Sequence, residues 1–104
     1  MRIEDVEEIL TEKFGVKVYD VKDDWTLHTY HKYFVFPNLY ALSVMQGFGA
    51  YSHDDTFEVA LGKVKDAEDY ESFELAFKGD FSKDVLGWQS PEKIIKLAEN
   101  ILEY

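Results

Sequence analysis

The hydrophobic period changes twice along this chain, from helical spacing to alternation and back, and that order restricts the fold more than any other feature. Ile3, Val6, Ile9, Leu10 and Phe14 recur every three or four residues with Glu4, Asp5, Glu7, Glu8 and Glu12 between them, the pattern of a helix with one buried stripe. The spacing predicts a helix from about Ile3 to Lys13. Its acids fall mostly in the first turns, where the helix dipole favours them, and Gly15 follows where a left-handed cap is needed. At the other end, Ser90-Pro91-Glu92 combines an N-cap side chain, a proline at the first helical position and an acid in the first turn. Ile94, Leu97, Ala98, Ile101 and Leu102 supply the apolar stripe of that closing helix.

Between the helices the period is two. Val16 and Val18 oppose Lys17, Tyr19 and Val21 in a short strand that Lys22-Asp23-Asp24 ends. Trp25 to Phe36 alternates over a length that requires a bend or a bulge, Pro37-Asn38 makes a turn, and Leu39 to Phe48 resumes as strand. A glycine-containing loop, Gln46 to Asp55, leads into Phe57, Val59 and Leu61 with Glu58, Ala60 and Gly62 opposite. After the charged connection Lys65 to Tyr70, Phe73, Leu75 and Phe77 alternate with Glu74, Ala76 and Lys78, the cleanest strand signal in the chain, with one wet face expected. Gly79 and Gly87 punctuate an irregular segment. No repeat or linker divides the sequence, and 104 residues make one domain, 1–104. The expected fold is α+β, an antiparallel meander of about five strands with the N-terminal and C-terminal helices packed on one face. The other face is expected to be partly open, with Tyr19, Tyr30, Phe34 and Tyr40 as the aromatics to place there.

Composition narrows the function classes. At 46% hydrophobic and 16% aromatic the chain folds rather than remaining disordered. Eleven Lys and Arg against twenty-one Asp and Glu give a net charge of −10, which opposes binding to a phosphate backbone or an anionic membrane. Without cysteine there is no disulfide, no thiolate zinc site and no cysteine nucleophile. Met1-Arg2-Ile3-Glu4-Asp5 lacks the form of a signal peptide and no apolar run is long enough to span a bilayer, so a cytoplasmic location is expected.

Sequence motifs for chemistry are sparse. His28 and His31 have a spacing that chelates on a helix, but on an uninterrupted strand the two rings point to opposite faces. His53-Asp54-Asp55 forms the better ligand cluster, because a loop can converge an imidazole and carboxylates on a divalent cation. A hydrolytic reading recruits His28, His31, Lys32 and Tyr30 as acid, base and charge stabiliser, yet the chain has no GxSxG elbow and no HExxH. Gly47-Phe48-Gly49 has too few glycines, and lies in a hairpin, to cradle phosphates. No cofactor is expected.

Two acidic concentrations stand out. One is Glu4, Asp5, Glu7, Glu8 and Glu12 on the first helix; the other is Asp66, Glu68, Asp69, Glu71 and Glu74 around the last hairpin. Charge on helix faces and loops serves solubility, and a field of one sign also steers a protein onto a basic surface. Glu4, Glu8, Glu12, Asp66, Glu68, Asp69, Glu71 and Glu74 are the candidate partner-binding residues, and the preferred reading is a non-enzymatic module that binds a protein partner with a basic surface. Two alternatives stay open: a small metal-binding or hydrolytic protein using His53, Asp54 and Asp55 or the His28 and His31 region, and a self-associating structural component.

The strand Phe73-Glu74-Leu75-Ala76-Phe77, the Asp84-Val85-Leu86-Gly87-Trp88 turn and the Ser90-Pro91-Glu92 helix start resemble the carboxy-terminal half of small acidic proteins carried by phages and prophages. That resemblance implies an accessory or anti-host protein and no common activity, while the acidic binding module is expected to act as an inhibitor, an immunity factor or a phage accessory. In the same segment Trp88 and Val85 are expected to plug the sheet edge.

Overall fold

A computed structural model of the protein describes residues 1–21, 28–47 and 55–104. The first helix, α1 (Ile3–Phe14), is fixed at both ends by local chemistry. The Arg2 backbone N–H donates to Asp5 Oδ2 at 2.9 Å, and Gly15 takes a left-handed φ of 66° with its N–H bonded to the Leu10 carbonyl. The closing helix α2 (Pro91–Ile101) begins as its residues predict, with Ser90 Oγ accepting the Lys93 N–H and proline at the first position.

Six antiparallel strands lie between them among the described residues: β1 (Lys17–Asp20), β2 (His28–Val35), β3 (Tyr40–Gly47), β4 (Phe57–Lys63), β5 (Glu74–Leu75) and β6 (Leu86–Gln89). They follow the order β1-β2-β3-β4-β5, with β6 also pairing β4, so two short strands share the outer edge of β4. The expected α+β meander with both helices on one face is the observed fold. Phe34 pairs across Leu42 to Leu61 in the registers of three strands, and this row faces the helices. Val6 and Leu10 of α1 and Ile94, Leu97, Ala98 and Ile101 of α2 close over it to form the main core.

At the Pro37-Asn38 turn it is Leu39, not asparagine, that adopts positive φ, 70°. Asn38 is held elsewhere, because its Nδ2 donates to the Ile101 carbonyl at 2.9 Å and its Oδ1 accepts the Tyr40 N–H. The long second strand does contain an irregularity, a register shift between His28 and Tyr30.

The aromatics expected on the open face divide between the faces. Phe34 and Tyr40 are buried in the main core, and Tyr30 packs against that core edge-on to Phe57; only Tyr19 lies on the far face. There it joins a second cluster, in which Val35, Ala41 and Val64 are covered by Tyr33, Tyr70 and Phe73. Phe73 stacks on Tyr33 with ring centroids 4.7 Å apart, directly above Gly62, where a Cβ would run into the Phe73 ring.

The last strand signal is corrected in two respects. Only Glu74–Leu75 pairs as strand, and neither face is dry: Glu74 and Lys78 are exposed, but so are Leu75 and Phe77, each 56%, whereas Ala76 packs on the main core and donates its N–H to the Leu61 carbonyl. β5 meets β4 only at Gly62 and Lys63, and of the three large apolar residues only Phe73, over Gly62, is packed on the sheet. Nor does Trp88 plug the edge. It sits in β6 with a φ of 52° and is 51% exposed, while Leu86 is the residue that packs inward.

A two-sided acidic edge as candidate functional site

The two acidic concentrations, far apart in sequence, meet at the β1 edge of the sheet. On the helix side, Glu4, Glu7, Glu8, Thr11 and Glu12 of α1 and Val18 of β1 line one shallow groove. On the far side, the connection after β4 crosses the sheet to β1. There Tyr19 Oη donates to the Ala67 carbonyl at 3.0 Å, the Tyr19 and Tyr70 rings stack at 5.2 Å, and Lys17 Nζ approaches Glu68 Oε1 at 3.6 Å. Asp66, Glu68 and Asp69 are thereby carried to the strand that α1 flanks from the other side.

The crossing connection is locally specified. Asp66 Oδ1 accepts the Glu68 N–H at 3.0 Å, and Ser72 Oγ accepts the Lys65 N–H while donating to the Asp69 carbonyl. These are the side-chain turns that aspartate and serine form with nearby backbone. Glu71 is exposed on the helical turn Tyr70–Ser72, where the chain starts back toward β4. Glu74 belongs to β5, at the opposite edge of the sheet. Of the eight candidate residues, therefore, Glu4, Glu8, Glu12, Asp66, Glu68 and Asp69 share one edge, and Glu74 does not.

Glu7 does different work from its neighbours. It is partly buried and accepts hydrogen bonds from Tyr30 Oη at 2.9 Å and Lys32 Nζ at 3.1 Å, and the same ammonium lies 3.6 Å from Asp20 Oδ1. Burial first, and then the Glu7 carboxylate, push the Tyr30 phenol well above its ordinary pKa of 10.0. For Lys32 burial opposes the charge, but the Glu7 hydrogen bond and field together with Asp20 outweigh it and raise the pKa. Sequence reading placed Glu7 among the helix acids and Tyr30 and Lys32 among potential catalytic groups. The geometry binds the three into a latch between α1 and β2.

The remaining candidates for chemistry are not brought together among the described residues. His31 Nε2 lies 3.1 Å from Ser43 Oγ, its ring edge-on to Tyr33. The irregularity between His28 and Tyr30 breaks the strict alternation on which the opposite-face argument for His28 and His31 rests, and the His28 side chain lies outside the described residues. His53 and Asp54 lie outside them as well, while Asp55 is an exposed turn residue. Among the described residues no group of three His, Asp or Glu side chains is placed to hold a metal ion. No described helix is long and apolar enough to cross a membrane.

One buried acid was not singled out from the sequence. Glu58 is only 9% exposed and projects on the far face of β4, on the same face as Ala60 and opposite Met45 of β3. Strict alternation with Phe57 and Val59 was the available signal, since it forces the carboxylate onto the face opposite the main core.

No protein-family model, curated protein or solved structure matches the chain.

Proposed function

We propose that the protein is a non-enzymatic acidic module that binds another protein through a basic surface, with the β1 edge as its contact. The observation that carries this reading is the convergence of Glu4, Glu8 and Glu12 with Asp66, Glu68 and Asp69 on both sides of one short strand. Solubility alone is served by carboxylates spread over the surface. Concentrating them on one edge creates a directed field that raises association rates with cations and repels acidic competitors. An accessory, inhibitor or immunity role fits such a module, since carboxylates so grouped stand where a nucleic-acid-binding protein expects phosphates.

The test is a titration of isotopically labelled protein with a peptide of alternating lysine and serine, followed by NMR at about 0.05 M and about 0.5 M NaCl. The expected result is a set of shift changes centred on α1 and residues 66–69, with affinity at least tenfold weaker at the higher salt. Binding that ignores salt, or changes scattered away from the β1 edge, overturns the reading.

A further inference from the structure

The strand between the two acidic segments is an edge of the sheet, and its outer backbone is unpaired. β1 pairs only with β2, in a register that sets Lys17 against Val35, Tyr19 against Tyr33 and Asp20 against Lys32. One residue further on, the Val21 N–H donates to the His31 carbonyl at 3.1 Å. In an antiparallel pair the residues that exchange hydrogen bonds alternate with those that do not, so Lys17 and Tyr19, with the parity of Val21, direct their N–H and carbonyl groups at β2. Residues of the other parity turn theirs outward. Val16 shows this, since its N–H leaves the sheet for the Leu10 carbonyl of α1. Val18 and Asp20 share that parity, and among the described residues nothing answers their two N–H and two carbonyl groups. The outer side of β1 is a short row of unmade backbone hydrogen bonds, the template on which another strand can be laid.

What flanks that row decides which strand. Val18 packs toward the main core and Tyr19 toward the second cluster, so the two sides of β1 look out on different acids. On the helix side lies the groove lined by Glu4, Glu8, Glu12 and Val18. Asp20 adds a carboxylate there, and the ammonium near it, Lys32, is already held by Glu7. On the far side, the contacts of Tyr19 with Ala67 and Tyr70 carry Asp66, Glu68 and Asp69 over β1, where Lys17 answers Glu68. Carboxylates on both sides of an open edge repel neutral and acidic strands alike, a second copy of this chain included. A cationic strand is the one they admit.

We infer that β1 receives an extended basic segment of the partner as an added strand, an inference that rests on the acidic module proposed above and specifies how that module binds. A strand laid along β1 at about 4.8 Å makes main-chain bonds to Val18 and Asp20 and turns alternate side chains into the α1 groove and toward residues 66–69. Because both sides carry carboxylates, the segment recognised has lysine or arginine at consecutive positions, not at every second one. A basic helix has nothing to offer the free row, since its own backbone groups are paired internally.

The experiment adds a blocked peptide of consecutive lysines, about six residues long so that it spans β1, to the intact labelled protein at about 0.05 M NaCl. A second peptide is methylated at every backbone nitrogen, which keeps the charge and removes every backbone donor. NMR shifts report the place and affinity of binding, and amide hydrogen exchange reports the outer row. The expected result is perturbation of α1 and residues 66–69, exchange of the Val18 and Asp20 amides slowed at least tenfold, and affinity at least tenfold greater for the unmethylated peptide. Asp20→Pro removes one outward donor at an exposed edge position, where proline is tolerated. It is expected to bind the unmethylated peptide at least fivefold more weakly than Asp20→Asn, which has lost the same charge, with the β1–β2 pairing of both variants checked by NMR. Equal affinity for the two peptides, no slowing at Val18 and Asp20, or equal affinity of the two variants overturns strand addition, while shifts still centred on α1 and residues 66–69 leave the acidic module standing. No binding, or shifts away from the β1 edge, overturns both. Protection of the Val18 and Asp20 amides that rises with protein concentration, before any peptide is added, gives the edge to a second copy and overturns the inference as well.

Discussion

At the scale of single residues, the latch of Glu7, Tyr30 and Lys32 shows how a charged side chain can serve the fold rather than the surface field. Replacing Glu7 by alanine leaves a half-buried phenol and ammonium without their shared acceptor, a loss of about 1–3 kcal/mol, read as a lower urea midpoint at unchanged slope. Glu7→Gln keeps an acceptor but not the charge, and it is expected to lose less. The same groups fix the alkaline limit of stability. Tyr30 and Lys32 both have folded-state pKa values raised above the ordinary 10.0 and 10.5, so the unfolded chain releases these protons first as pH rises. Their stabilisation is whole below about pH 10 and is lost above it. A spectrophotometric titration of phenolate is expected to show a late component from Tyr30 and from Tyr104, whose phenol burial also raises. Tyr30→Phe is expected to reduce that late amplitude, and a titration with no late component would sink the assignment.

At the scale of elements, legibility followed the strength of local chemistry. Both helices could be read directly because the apolar period agreed with first-turn acids and the Gly15 cap in α1 and with the Ser90-Pro91 start in α2. The faces of β4 were legible for the same reason, with Phe57, Val59 and Leu61 turned to the helices and Glu58, Ala60 and Gly62 turned away. What could not be read was any arrangement decided by distant residues. The period of Phe73, Leu75 and Phe77 predicts a strand, but only Glu74–Leu75 pairs, and it is Phe73 alone that settles over Gly62 and stacks on Tyr33, a contact spanning forty positions. β6 gave no alternating signal because Gly87 and the left-handed Trp88 interrupt it. The convergence of the two acidic segments was hidden too, since it requires the connection after β4 to recross the sheet. Gly62 is the pivot of this region. A Cβ there would collide with the Phe73 ring and lie 2.7 Å from the Glu74 carbonyl oxygen. Gly62→Ala is therefore expected to destabilise by about 1–3 kcal/mol, with loss of the Phe73 to Tyr33 ring-current shifts; an unchanged midpoint would show that the stack adjusts freely. At the opposite end, Ser90→Ala removes the α2 cap and is expected to cost about 1 kcal/mol.

At the scale of the whole molecule, the question is whether the carboxylate edge is a working surface or a by-product of solubility, and its energetics separate the two. Glu4, Glu8 and Glu12 are spaced by four along α1, so each neighbouring pair is a like-charge contact that costs about 0.2–0.5 kcal/mol. Asp66, Glu68 and Asp69 add to the repulsion from the far side of β1, answered there by Lys17. Glu8→Lys removes two like-charge pairs on the helix and creates two opposite ones, so the variant is expected to be more stable by about 1–2 kcal/mol, with the gain shrinking as salt rises. The same change places a cation in the groove between α1 and β1, and it is expected to weaken binding of the lysine-serine peptide at least fivefold. Stability and binding then move in opposite directions, as they do where a surface is kept strained for its use. Urea unfolding and peptide titration of this one variant measure both. A gain in stability with peptide affinity unchanged assigns the acids to solubility alone; a gain accompanied by lost affinity assigns them to the partner.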